Sequence, residues 1–375
     1  MEKSAVDLFI GENKERLLKT LEELCRIPAP SHGEQRRAEY CKAWLEEIGA
    51  RGVYVDSALN VILPLGCDGK TDITVFAAHT DTVFPDTEPM PYLDDGERIF
   101  CPGVADDTAS VAVILMMAKY FIENPLERSG GIMLACNSCE EGLGNLKGTR
   151  RLFEDFKGRI GRFITFDSKL NIMVDRCVGS HRYEVEINTE GGHSYSSFGS
   201  KNAIAELSEI ISEIYKISVP EKENTRTTYN VGTVTGGTSV NTVAQNARML
   251  CEYRSDDAEA LQIMKEKFDA VFEAARSRGT DIKVTPVGDR PCGESGVKGF
   301  SELRDKAAEI IKSVIKKPLH FVSGSTDCNI PVSLGIPAIC VGISEHGWTH
   351  TREEYLEKAS LLKGLKIAVL LGKTL

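Results

Sequence analysis

The chain is poor in basic residues relative to acidic ones, and it has no long apolar run and little tryptophan. Among 375 residues, 45 Lys and Arg stand against 55 Asp and Glu, a formal net charge of -10. A balance of that sign removes the basic face with which a nucleic-acid binder neutralises phosphates. No stretch approaches the roughly 18 consecutive apolar residues of a membrane-crossing helix. The opening residues MEKSAVDLFIGENKERLLKT contain neither an apolar signal core nor a cleavage site, so the expected location is cytoplasmic. The 11 cysteines are an odd count without framework spacing, and they read as reduced thiols. There are no internal repeats and no low-complexity segments. With 42% hydrophobic and 27% charged residues, the chain can bury a sizeable core, and its length suggests two or three domains.

The apolar spacing predicts helices over 14–28 and 34–48, separated by Pro28 and Pro30. Short apolar runs predict strands at 53–55, 61–65, 73–78, 132–136 and 162–166, with a buried helix over 108–121. Such alternation implies an α/β fold with a mostly parallel mixed sheet covered on both faces. From 181 the pattern changes. A polar-apolar alternation at 181–188 begins a βαββαβ series closed by a strand at 282–287, which predicts an inserted, ferredoxin-like α+β domain over 180–290. Residues 1–179 and 291–375 then form a discontinuous catalytic domain. Its last helix is predicted from about 352, with Thr351 and Glu354 as a T-x-x-E capping box.

Polar residues cluster where the apolar runs end. His79 and Asp81 follow the run ITVFAA; Asp106 and Asp107 precede the helix at 108; Glu140, Glu141 and Asp167 close two further strands; His350 stands outside the last helix. An open α/β sheet builds its site at strand carboxyl ends. Carboxylates gathered there would repel one another unless cations neutralised them, so the pattern reads as a metal site, most plausibly a two-metal hydrolytic one. Neutral imidazole is a common zinc ligand, and Asp81 is placed to accept the second ring N–H of His79. Each signal has a bland counterpart: H-x-D as a surface turn, Asp106–Asp107 as a helix cap, Glu140–Glu141 as a solvent-facing pair, Asp167 as a loop residue. Of the glutamate pair, one would bind metal and the other handle a proton. His346 competes with His350, but Gly347 and the downstream cap favour His350 alone.

Five blocks, AAHTDTV, GVADDTASVA, CEEGLGNLKG, GGHSYSSFGSKNAI and GIPAICVG through HTREEY, resemble the M20 family of zinc metallopeptidases, most like its peptidase T (tripeptide aminopeptidase) branch. The resemblance covers nearly the whole chain. It implies two Zn²⁺ per subunit, with Co²⁺ or Mn²⁺ as substitutes. His79 and Asp167 would hold one ion, Glu141 and His350 the other, and Asp106 would bridge them. Glu140 would be the general base towards a zinc-activated water, and Asp81 would orient His79. A cis peptide is expected between Asp106 and Asp107. An aspartate at position 167 resembles the aminopeptidase branch, whereas a glutamate there goes with deacylases and carboxypeptidases. In the inserted domain, which would serve as lid and dimerisation domain, His193, Asn241 and Arg254 resemble substrate-holding residues, as do Gly324 and Ser325 in SGSTD. His193 would reach the partner subunit's site. The implied protein is a homodimeric aminopeptidase or tripeptidase acting on short peptides.

An N-acyl amino acid deacylase or a carboxypeptidase of the same family is the alternative. Two other readings compete. Gly142, Gly144 and Gly148 mimic a dinucleotide-binding turn, but their G-x-G-x-x-x-G spacing departs from the fingerprint, and Glu140 and Glu141 would repel a pyrophosphate. A non-catalytic, metal-stabilised binding protein is the other; turnover after zinc or cobalt reconstitution separates it from an enzyme. Cys136 and Cys139 form a C-x-x-C with no second such pair, and they read as buried small hydrophobes.

Overall fold

The computed structural model describes residues 4–126, 129–293 and 296–375. It divides into two compact units, one of Met1–Cys177 with Ser295–Leu375 and one of Val178–Glu294.

The first unit is built on an eight-stranded mixed sheet. Its order is Tyr54–Val55, Val61–Leu65, Gly131–Asn137, Ile73–His79, Ile160–Thr165, Ala338–Val341, Ile172–Cys177 and His320–Gly324. The four strands from Gly131–Asn137 to Ala338–Val341 are mutually parallel. Antiparallel pairings flank them on both sides. Every residue of Ile73–His79 and of Gly131–Asn137 is buried. This is why the sequence shows continuous apolar runs there: successive side chains enter opposite faces, and both faces are covered. Phe76, Ala78, Leu134 and Ile164 pack with the helices Ala5–Cys25, Gln35–Glu47, Ala109–Glu123, Phe300–Ile315 and Lys358–Thr374. Val75, Ala77, Met133 and Phe163 join Leu152 and Phe153 of the helix Lys147–Asp155 on the other face. Helix Ala109–Glu123 is buried on nearly all sides, which its composition of Ala, Val, Ile, Leu and Met permits.

The first helix begins nine residues before the predicted start. Ser4 caps it by accepting the Asp7 N–H, and Val6, Phe9 and Ile10 extend the buried stripe of Leu17, Leu21 and Leu24. Each such side chain contributes about 1.5–3 kcal/mol by leaving water. The strand Ile172–Cys177 carries no periodic signal and is an addition to the predicted set. The predicted capping box is a correction. The last helix starts at Lys358 with Glu357 at its cap, and Thr351 and Glu354 lie outside it. They belong instead to a segment whose strand Tyr355–Glu357 pairs antiparallel with Arg98–Phe100.

The second unit has one four-stranded antiparallel sheet in the order Thr227–Gly236, Asn246–Ser255, Gly179–Asn188, Asp281–Arg290. Helices Ala203–Ile214 and Ala258–Ser277 cover one face through Leu207, Ile210, Met264, Phe268 and Phe272. Asn202 and Asp257 cap these helices, each accepting backbone N–H groups of the first turn. Strand Asn246–Ser255 alternates between buried and less buried residues, as expected of a sheet open on one face.

Candidate metal centre

The parallel register delivers the candidate side chains to one place. His79 ends its strand level with Asn137, and Ala77 lies level with Thr165 of the next strand. The chain therefore leaves the sheet at adjacent points carrying His79, then Glu140 and Glu141, then Asp167. The exits are tied down: Thr80 N–H donates to Asn137 O at 2.7 Å and Phe166 N–H to Ala77 O at 3.0 Å.

Asp106 enters from the segment before helix Ala109–Glu123. Gly103 opens that segment at φ +75°, and a Cβ there would meet Thr82 Cγ2 at 2.5 Å, so only glycine fits. The Asp106–Asp107 peptide is cis, as the resemblance implied. Asp107 is not a helix cap: its Oδ2 accepts the His79 backbone N–H at 3.0 Å. The Asp106 carboxylate has one oxygen on each of two histidines. Oδ1 lies 3.1 Å from His79 Nε2, and Oδ2 lies 2.9 Å from His350 Nε2. His350 Nε2 is also 3.2 Å from Glu141 Oε1. His350 holds a left-handed conformation at φ +63°, sparsely populated by a non-glycine residue. His346 points elsewhere, its Nδ1 3.0 Å from Ser344 Oγ.

Asp81 is fully buried and organises three partners at once. Its Oδ1 and Oδ2 accept the backbone N–H groups of Glu140 and Glu141 at 2.9 and 3.0 Å, and Ser31 Oγ donates to it at 2.7 Å. Its contact to His79 differs slightly from the expected one. Nδ1 lies 3.0 Å from the Asp81 backbone carbonyl and 3.4 Å from the carboxylate. Either oxygen fixes the ring so that Nε2 faces Asp106.

Two acidic residues at this centre were not found by sequence reading. Glu354 is fully buried, and its carboxylate accepts backbone N–H groups from Gly103, Ala105 and Asp106 at 3.0, 2.8 and 3.0 Å. It thus clamps the segment that presents Asp106. Its T-x-x-E spacing was legible but pointed to a cap. Asp327, also buried, accepts from Thr149 Oγ1 and Asn137 Nδ2. An acidic residue in the otherwise apolar stretch after SGST is the signal that could have found it. Gly324 ends its strand immediately before this segment, with Ser325 following.

The electrostatics follow from burial. Burial and then the charge of Asp106 push the Glu141 carboxyl up to about 7. The same two causes, in the same order, raise Asp167 well above the usual range. Burial alone would raise Asp106, but hydrogen bonds from His350 and His79 outweigh it and hold that carboxyl low. Hydrogen bonds to Asp106 and Glu141 lift His350 to about 10. Carboxyls and imidazoles pushed up together by burial and by one another's charge are groups from which a divalent ion displaces protons on binding. The spacing agrees. Ligands of one tetrahedral zinc lie about 3.3–3.6 Å apart, near the observed ring-to-carboxylate distances. His79, Asp106 and Glu141 each offer an atom within 4.8 Å of the others. The donor set of imidazole and carboxylates fits a divalent metal ion.

The remaining candidates lie in the second unit. His193 is exposed, and its Nδ1 accepts the Tyr195 backbone N–H at 3.2 Å. His193 pairs with Thr242 in a short ladder, and Ser194 N–H donates to Asn241 O at 2.9 Å, so His193 and Asn241 are neighbours. Arg254 Nε and Nη2 donate to Glu252 at 2.7 and 3.1 Å. At the glycine-rich turn, Gly148 serves packing: a Cβ there would lie 2.5 Å from Ser138 O.

A strand-end cluster of this composition on a mixed α/β sheet defines a metal-dependent hydrolase. The chain belongs to peptidase family M20/M25/M40, whose model matches residues 75–373. It is 26% identical to the uncharacterized protein YqjE of Bacillus subtilis over 95% of this chain and 97% of that one. It is 24% identical to the succinyl-diaminopimelate desuccinylase of Corynebacterium glutamicum, over 89% of each. Its fold superposes on a tripeptidase from Staphylococcus aureus with a TM-score of 0.75, at 21% identity, covering 96% of this chain and 99% of that one. No helix among the described residues is long and apolar enough to cross a membrane.

Proposed function

We propose that this chain is a two-zinc exopeptidase that removes N-terminal residues from short peptides, tripeptides included. The observation that carries the hydrolytic reading is the Asp106 carboxylate, with one oxygen on His79 and the other on His350. In this reading His79 and Asp167 hold one ion, Glu141 and His350 the other, with Co²⁺ or Mn²⁺ as substitutes. Zinc bound there supplies Lewis acidity towards water and the scissile carbonyl. The chain's own residues do the rest. Glu140, buried beside Asp81 and within the field of Asp327, takes the proton of the attacking water and returns it to the departing amine. Asp81 keeps His79 oriented and positions the Glu140 and Glu141 peptides.

The amino-end preference rests on the aspartate at position 167, which resembles the aminopeptidase branch. His193, Asn241, Arg254, Gly324 and Ser325 would hold substrate, His193 doing so in the partner subunit of a cytoplasmic homodimer. The desuccinylase among the relatives favours a second reading, N-acyl amino acid deacylation by the same centre.

A panel of free, N-acetylated and C-amidated di- and tripeptides, with products identified by mass, tests the reading. Hydrolysis that requires the free amine supports it; preference for N-acylated substrates replaces it with the deacylase. Mixing the inactive variants Glu140→Ala and His193→Ala tests the shared site. Recovered activity in mixed dimers is expected, and none in demonstrably mixed dimers removes the role of His193.

A further inference from the structure

The chain has two tryptophans, and they are placed in opposite ways. Trp44 is buried, and its indole N–H donates to Thr20 Oγ1 at 3.1 Å. Trp348 is 63% exposed. It stands two residues before His350, in a turn that Thr351 closes twice. The Thr351 N–H and hydroxyl donate to Trp348 O at 3.1 and 2.6 Å. Trp348 and His350 both hold left-handed backbone conformations, at φ +56° and +63°. A bulky residue avoids that region unless its surroundings enforce it, and such enforcement collects where a protein holds a ligand.

The ring is fixed as well as exposed. It meets Tyr355 edge-on, with centroids 5.5 Å apart. Tyr355 lies in turn against Phe100 at 5.7 Å, with the Arg98 guanidinium 4.6 Å above it. Gly347 makes room for this arrangement, since a Cβ there would lie 2.8 Å from Tyr355 Cε1. Beyond His350, Arg352 donates to both carboxylate oxygens of Asp86 at 3.0 and 2.7 Å and lies over the Phe84 ring. The segment is thus pinned on both sides of the imidazole that reaches Asp106. Two more exposed apolar side chains stand as near along the chain to residues of the centre. Val83 is two beyond Asp81, and Leu143 is two beyond Glu141. A single exposed apolar residue needs no explanation, but several beside a polar centre mark where a ligand buries apolar surface.

We propose that Trp348 is a specificity-determining residue whose exposed ring receives a large apolar side chain, such as that of leucine or phenylalanine, from the substrate residue next to the scissile bond. The proposal rests on the hydrolytic reading of the centre and not on its amino-end preference. A ring already held in place loses little freedom when substrate covers it, so the apolar area buried there converts into discrimination.

The zinc-loaded full chain is assayed on Ala-Ala-Ala, Leu-Ala-Ala and Ala-Leu-Ala, and on N-acetylalanine and N-acetylleucine. Wild type, Trp348→Ala and Trp348→Phe are compared. Wild type is expected to prefer a leucyl substrate over its alanyl counterpart by roughly tenfold in kcat/KM. Trp348→Ala should bring that ratio close to one, mainly through KM, and Trp348→Phe should keep most of it. No leucyl preference in wild type, or an undiminished one in Trp348→Ala, overturns the proposal. A direct readout uses Trp44→Phe, in which Trp348 is the only indole. Leucine hydroxamate, a metal-chelating probe that carries the isobutyl side chain, should shield its fluorescence from acrylamide. Acetohydroxamate, which lacks that side chain, should not. Unshielded emission at concentrations of leucine hydroxamate that inhibit hydrolysis also overturns the proposal. Cleavage of N-acetylated substrates only removes the amino-end reading alone, since the leucyl-to-alanyl ratio is then read on those substrates. Cleavage of neither class overturns both.

Discussion

The two units handle polar groups in opposite ways. In the first, His79, Asp81, Glu140, Glu141 and Glu354 are buried and engage partners from distant parts of the chain. In the second, His193 and Asn241 are exposed, and His193, Asn241 and Arg254 are satisfied by neighbours two residues away in sequence: Tyr195, Ser239 and Glu252. Burying a carboxylate costs several kcal/mol unless a cation or hydrogen bonds offset it. The first unit therefore advertises its chemistry through groups that would otherwise destabilise it. The candidate residues of the second carry no such electrostatic demand, and their roles rest on the family resemblance.

Breaking the contrast on the buried side should have the largest effects. Glu141→Ala is expected to lower bound metal and bring turnover below detection, measured by metal analysis beside a peptide assay. Glu140→Ala should keep the metal and lose roughly 10²–10⁴ in kcat; near-normal kcat with full metal content would reassign the base. Asp81→Asn should cost roughly 10–100-fold in metal affinity or activity, because His79 and both glutamate peptides lose their common anchor. On the exposed side, Arg254→Ala should leave metal content unchanged and reduce kcat/KM by roughly tenfold or more, the worth of a hydrogen bond to a charged group. A wild-type value would make Arg254 merely the partner of Glu252. The smallest effect expected is on stability. Glu354→Gln removes charge from an acceptor of three backbone donors and should cost about 1–3 kcal/mol in denaturant unfolding of the metal-free protein. An unchanged midpoint would show that the clamp holds nothing.

Legibility followed the same division. The parallel strands were visible because their double-sided burial requires unbroken apolar runs, as in Ile73–His79 and Gly131–Asn137. The polar residues that end those runs stood out for the same reason. Strand Ile172–Cys177 was hidden because Asp175 and Arg176 interrupt it near the sheet margin. Glu354 was misread because a T-x-x-E spacing has a local meaning, and only the fold shows that its partners lie some 250 residues earlier. Sequence patterns report periodic burial and short-range capping; contacts between remote loops leave no such trace.

The Glu354 clamp also sets an order of events in biosynthesis. Asp106 is presented by a carboxylate that the ribosome adds about 250 residues later, just after His350. A nascent chain can complete its central strands and still lack both the support for Asp106 and one of its imidazole neighbours. The candidate centre is therefore complete only when the chain is nearly finished, and a chain halted short of residue 350 lacks one of its two imidazoles.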